Sequence, residues 1–150
     1  MGMRTAISRS VLIGIRRFSA DAGPCEACGL LFGDGDAVTG FQATENVAET
    51  PETRFEIEPR ALFAALRKER AGGPSIAGYW HSHPSGDARP SATDASMADP
   101  DGKLWVIVAG ESVTAWRATA DGALHGRFSR VELVESDEEG RTHSLFGSQS

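Results

Sequence analysis

His81-Ser82-His83-Pro84-Ser85-Gly86-Asp87-Ala88-Arg89-Pro90-Ser91-Ala92-Thr93-Asp94 is the stretch around which the chain can be organised. Alternate side chains of a β-strand share a face, so a strand over Ser75 to His83 sets His81 and His83 on one side and Ser82 on the other. Pro84 stops that strand. A loop bracketed by Pro84 and Pro90 follows, and a short helix is expected over Ser91 to Ala98, with Asp94 on its first turn. Two imidazole nitrogens and one carboxylate are three protein ligands, and Zn²⁺ held by three protein ligands keeps its fourth position for water. Ser91 and Asp94 also have the S-x-x-D spacing of a helix start close to a capping box. A ligating Asp94 is not expected to cap freely as well, so Ser91 is read as an N-cap in part.

Working outward, Lys103 to Ala109 carries the unbroken apolar run Leu104, Trp105, Val106, Ile107 and Val108, the pattern of a buried strand. Strands are expected over Val113 to Ala118 and Gly126 to Glu135. Upstream, Thr5 to Ser8 reads as an edge strand and Ser10 as the cap of a helix whose apolar face is Val11, Leu12, Ile15 and Phe18. That helix should end near Ala22 or Gly23. Cys25 to Gly33 reads as a central strand, Ala37 to Ala43 as its hairpin partner and Arg54 to Glu58 as a short strand. Pro59 opens a helix with the buried stripe Leu62, Phe63, Ala65 and Leu66. Strands and helices mix without βαβ regularity, which favours one α/β domain with a curved, mostly antiparallel sheet and flanking helices over a doubly wound one.

The motif in full, Glu26, then His81-Ser82-His83-Pro84, a loop, and Pro90-Ser91-Ala92-Thr93-Asp94, resembles that of the JAMM or MPN-plus zinc metalloproteases in their minimal bacterial form. The resemblance implies a single MPN (JAB) domain, deaminase-like in its sheet, over residues 1–135. It implies that His81, His83 and Asp94 bind Zn²⁺, that Glu26 is the general base and that Ser91 donates to the oxyanion. It further implies a peptidase or isopeptidase cutting after the Gly-Gly end of a ubiquitin-like protein, such as a ubiquitin-like sulfur carrier or its conjugate. An extended tail could add to a sheet edge beside the metal. The alternative is an MPN-type scaffold without catalysis, against which the complete set of five residues argues.

A length of 150 residues suits one domain, and a net charge of -6 without a basic cluster argues against nucleic acid as a partner. The two cysteines, Cys25 and Cys28, exclude a disulfide framework and fit a cytoplasmic protein. If both sit on one strand they face opposite ways, as packed thiols. No stretch approaches a membrane span. Asp87 and Arg89 read as a solvated loop tip, nothing is assigned to His125 or His143, and residues 136–150 are expected to be a disordered acidic tail.

Overall fold

The computed structural model describes residues 3–136 and 142–144. In chain order these form β1 (Arg4–Ser8), α1 (Arg9–Asp21), β2 (Cys28–Gly33), β3 (Ala37–Thr44), α2 (Pro59–Arg70), β4 (Ile76–Ser82), α3 (Ala92–Met97), β5 (Leu104–Ala109), β6 (Ser112–Ala118), β7 (Phe128–Ser136) and β8 (Thr142–Ser144). The strands follow the order β1-β3-β2-β4-β5-β6-β7-β8 and β1 also pairs with β7, so the first seven close into a ring. Pairing is mostly antiparallel; β1 with β3, β1 with β7 and β4 with β5 are parallel. No described helix is long and apolar enough to cross a membrane.

The closure corrects the expectation for β1. It is no edge strand: both its sides are paired, which satisfies backbone groups that an edge would leave open. Most of the expected tail lies outside the described residues, but Ser136 ends β7 and Thr142–Ser144 pair with it, so at those positions the chain is strand.

Strand alternation divides the interior. Trp80, Leu104, Val106 and Val108 face Val11, Leu12 and Ile15 of α1 on one side of the sheet. Cys28, Trp105, Ile107 and Phe128 face the other way and gather with Phe55. Gly14, the interruption in the apolar run of α1, has a reason here: a Cβ would run into the ring of Phe41.

Several local expectations shift. Ser8, not Ser10, caps α1, its Oγ accepting from Val11 N at 3.4 Å, because β1 runs into the helix without a linker. Phe18 is 46% exposed, beyond the stripe that meets the sheet, with its ring edge-on to Phe41 at 6.0 Å. Phe63 is 62% exposed because α2 turns Ala65, with Leu62 and Leu66, toward Leu30 and Ile76. Arg54 to Glu58 forms no strand; Ile57 makes an isolated bridge to Asn46, and Phe55 is buried from what is otherwise loop.

Candidate metal centre

β4 is flanked by β2 and β5 along its length, with His81 opposite Cys28 on one side and Ile107 on the other. Its side chain is fully buried, with Phe55 stacked on the imidazole at 4.4 Å and 23° and Trp105 edge-on at 5.7 Å. His83 lies one residue past β4, yet its N–H still donates to Val108 O at 2.9 Å, which keeps the alternation going. The strand period puts the two rings on one face, and their Nε2 atoms converge to 3.0 Å. Because both neighbours of β4 are present, the expected addition of a substrate strand at a sheet edge beside the histidines is not available here.

α3 supplies Asp94 from its first turn. Asp94 Oδ2 lies 3.2 Å from His81 Nε2 and 3.1 Å from His83 Nε2. The same oxygen accepts from Ser91 N at 2.9 Å, while Ser91 Oγ accepts from Asp94 N at 3.0 Å, a complete capping box. One oxygen of Asp94 thus caps the helix start and faces both histidines, since a carboxylate oxygen has more than one lone pair. Ser91 uses its oxygen as the cap and keeps its hydroxyl proton available.

These residues fit a metal. His83 Nδ1–H donates to Asp87 O at 2.7 Å, so Nε2 carries the lone pair in the neutral ring. That lone pair meets the Asp94 carboxylate, a repulsion that a cation or an added proton removes. A tetrahedral site with bonds of about 2.0–2.1 Å places its ligand atoms roughly 3.3 Å apart. The three observed separations, 3.0, 3.2 and 3.1 Å, lie between that spacing and the roughly 3.0 Å of neighbouring ligands in an octahedral site, so they fit a bound metal of either geometry. Glu26 joins the cluster, its ligand atom and those of both histidines lying within 4.8 Å of one another. Glu26 Oε1 and His81 Nδ1 are buried without a hydrogen-bond partner among the described residues.

Burial pushes the Glu26 carboxyl up to about 7, with His83 pulling it down and Asp94 adding to the rise. Burial also lowers His81, against the pull of Asp94. In His83 burial is outweighed by hydrogen bonds to Asp94 and to the Asp87 carbonyl, so its pKa is raised. Burial alone would raise Asp94, but the histidines and the Ser91 N–H hold it well below the usual carboxylate range.

Glu26 does not sit on the strand expected for it. β2 begins at Cys28, and the approach to it is fixed by long-range bonds: Glu26 N donates to Pro51 O at 2.7 Å, and Asn46 Nδ2 to Glu26 O at 2.9 Å. Ser82, the residue between the histidines, accepts from Ala27 N at 2.8 Å through Oγ, and its own N–H donates to Ala27 O at 3.0 Å. Ser82 thus ties the segment that carries Glu26 to the strand that carries the histidines, from the opposite face. Sequence reasoning missed both Ser82 and Asn46. The only available signal for Ser82 was its outward place in H-x-H; Asn46 had none beyond lying in a polar loop.

Cys25 precedes β2, so the picture of two thiols on opposite faces of one strand does not hold. Cys28 is buried beside Thr44 Oγ1 at 3.6 Å, and burial is the main reason its pKa is pushed up to about 11, an inert packed thiol. Asp87 and Arg89 pair at the exposed loop tip, as expected, at 3.3 Å. They also border a cavity of about 200 Å³ in front of Glu26 and His83, whose other wall includes Glu52 and Thr53.

The chain is 36% identical over 115 residues to the desampylase of Haloferax volcanii, spanning 75% of this chain and 83% of that protein. It is 32% identical over 97 residues, 65% of each chain, to a probable TtuB-protein conjugate cleaving protease of Thermus thermophilus. The crystal structure of a JAB1/MPN domain protein from Archaeoglobus fulgidus superposes with a TM-score of 0.56 at 25% identity, covering 89% of this chain and 100% of that one. A family model described as prokaryotic homologs of the JAB domain matches residues 8–119. With the motif, the fold and the clustered Glu26, His81 and His83 in agreement, the chain belongs to the prokaryotic JAB family and is a JAMM-type metallopeptidase.

Proposed function

We propose that His81 Nε2, His83 Nε2 and Asp94 Oδ2 bind Zn²⁺ and that the enzyme cuts after the C-terminal Gly-Gly of a ubiquitin-like protein, trimming a sulfur carrier or releasing it from a conjugate. The observation that carries this reading is the triangle of those three atoms with Glu26 beside it, whose Oε1 is buried without a hydrogen-bond partner among the described residues. Two imidazoles and a carboxylate are a donor set that zinc accepts, and membership of the JAMM-type family favours zinc over the other metals that share it. The names of the two relatives support a conjugate as substrate.

Zinc held there would supply Lewis acidity, lowering the pKa of a water toward about 7 and polarising the scissile carbonyl. The chain's own residues do the rest. Glu26 takes a proton from the attacking water and passes it to the departing amine; a carboxyl pushed up to about 7 by burial is suited to both directions. Ser91 keeps its oxygen on the cap and turns its hydroxyl proton toward the oxyanion. The substrate tail enters the cavity of about 200 Å³ between the 84–91 loop and Glu52 and Thr53.

The test uses one ubiquitin-like protein in two forms: with extra residues fused after Gly-Gly, and joined through that carboxyl to a lysine side chain. Each is incubated with zinc or chelator, and products are read by mass spectrometry. A product ending in Gly-Gly, formed only with zinc, is expected, and the form consumed assigns the bond. No product from either form by zinc-loaded enzyme would contradict the proposal.

A further inference from the structure

The segment that carries the chain from the histidines to α3 is exposed at 84–87 and at Arg89, yet three of its carbonyls are gripped by side chains of the body. His83 Nδ1–H donates to Asp87 O at 2.7 Å, Thr114 Oγ1–H to Ala88 O at 2.6 Å, and His125 Nε2–H to Pro90 O at 3.2 Å. The first grip comes from the histidine pair itself. The other two come from β6 and the β6–β7 turn, which contribute nothing else to the metal centre.

Thr114 is itself aimed. Trp116 Nε1–H donates to Thr114 Oγ1 at 3.0 Å, which leaves the single hydroxyl proton for Ala88 O. Trp116 lies two residues on, on the same face of β6, and carries the Arg130 guanidinium 5.2 Å from its ring centroid. In the sheet register His81 stands opposite Ile107, and Ile107 opposite Thr114. One transverse row therefore holds both His81 and Thr114, so the origin of the loop and its midpoint grip are fixed on one hydrogen-bonded frame.

His125 adds a different mark. Among the described residues it alone combines a side chain with a positive φ, +56°, followed by Gly126 at +66°. Such strain persists where the surroundings over-determine it and gathers at functional sites. Here the turn directs the imidazole to the carbonyl of Pro90, the residue before Ser91.

We propose that Thr114 and His125 are positioning residues that strap the 84–90 loop across the end of the sheet and so set where Ser91 and Asp94 stand relative to the histidine pair. This rests on the reading of His81, His83 and Asp94 as the metal ligands. Without the straps the loop must be ordered when the metal binds, and affinity falls by that cost.

Zn²⁺ affinity is measured by chelator competition for wild type, Thr114→Val, Thr114→Ser and His125→Asn, beside the unfolding midpoint of each metal-free protein. Valine keeps the shape and removes the hydroxyl, serine restores it, and asparagine tolerates the left-handed backbone but is too short to make the same contact. Thr114→Val is expected to weaken zinc by about tenfold, the low end of the range for direct partners of metal ligands, because Thr114 holds the loop and not a ligand. Thr114→Ser should stay within about threefold because it keeps the same donor, and His125→Asn should lose about threefold to tenfold. A Thr114→Val protein that unfolds more easily yet binds zinc as wild type, at a temperature where both are folded, would make Thr114 structural only and overturn the proposal. If that variant does not fold, unchanged zinc affinity in His125→Asn overturns it instead. Wild type that binds no zinc is a separate result, which overturns the metal reading beneath it.

Discussion

His81 and His83 present the same atom to the same carboxylate oxygen, but the molecule holds them by different means. His81 is fixed by packing: full burial, the stacked Phe55 ring, the edge of Trp105 and paired strands on both sides. His83 stands at the strand exit and is oriented by one hydrogen bond to a loop carbonyl. Burial lowers the pKa of His81, whereas hydrogen bonds to Asp94 and the Asp87 carbonyl outweigh burial at His83 and raise it. One histidine belongs to the core and the other to a loop, so as proposed ligands they should fail in different ways.

Phe55→Ala attacks the packed side and should have the largest effect on stability. Truncating a buried phenylalanine costs about 3 kcal/mol or more, read from denaturant unfolding of the metal-free protein, and zinc affinity should fall with it. Unchanged stability would mean that packing is not what holds His81. Gly86→Ala attacks the loop side. Gly86 has φ +87° and open space around it, so the substitution strains only the backbone, at about 1–2 kcal/mol. It should weaken zinc with a smaller loss of stability than Phe55→Ala.

Two smaller effects depend on pH. Metal ligands must be deprotonated to bind, and only His83 is raised, so in Glu26→Gln one proton should be displaced from the histidine pair, not two. Zinc affinity should then fall by about tenfold for each pH unit below the His83 titration; a slope of two protons would erase the distinction between the rings. Glu26 is expected to show in stability. Its folded pKa is raised from 4.5 to about 7, so between those values the metal-free folded state holds the proton more tightly and stability is lost as pH rises through the window. Glu26→Gln lacks this loss. The gap between the two proteins should open from about pH 4.5 and level off above about pH 7, at on the order of 1 kcal/mol after solvent screening.

The same contrast explains what could be read from the chain. The histidine pair was legible because a two-residue period needs no knowledge of the fold, and Asp94 because a helix start signals itself through Ser91. The buried strand Leu104–Ala109 announced itself by composition. Residues whose task depends on a distant partner were illegible. Ser82 meets Ala27 across 55 positions and His125 meets Pro90 across 35, and neither carries a local pattern. The ring closure by β1 was hidden for the same reason, since five residues with three buried look alike on an edge or between two strands. Phe63 was misread because helical periodicity gives a face but not the rotation of that face toward its neighbours.

Glu26→Gln, assayed for zinc content and for cleavage of the ubiquitin-like substrate side by side, tests most directly the division between three ligands and one base. Full zinc occupancy with cleavage reduced by on the order of 10²–10⁴-fold is the predicted result. Cleavage at the wild-type rate, or loss of the zinc together with the activity, would contradict it.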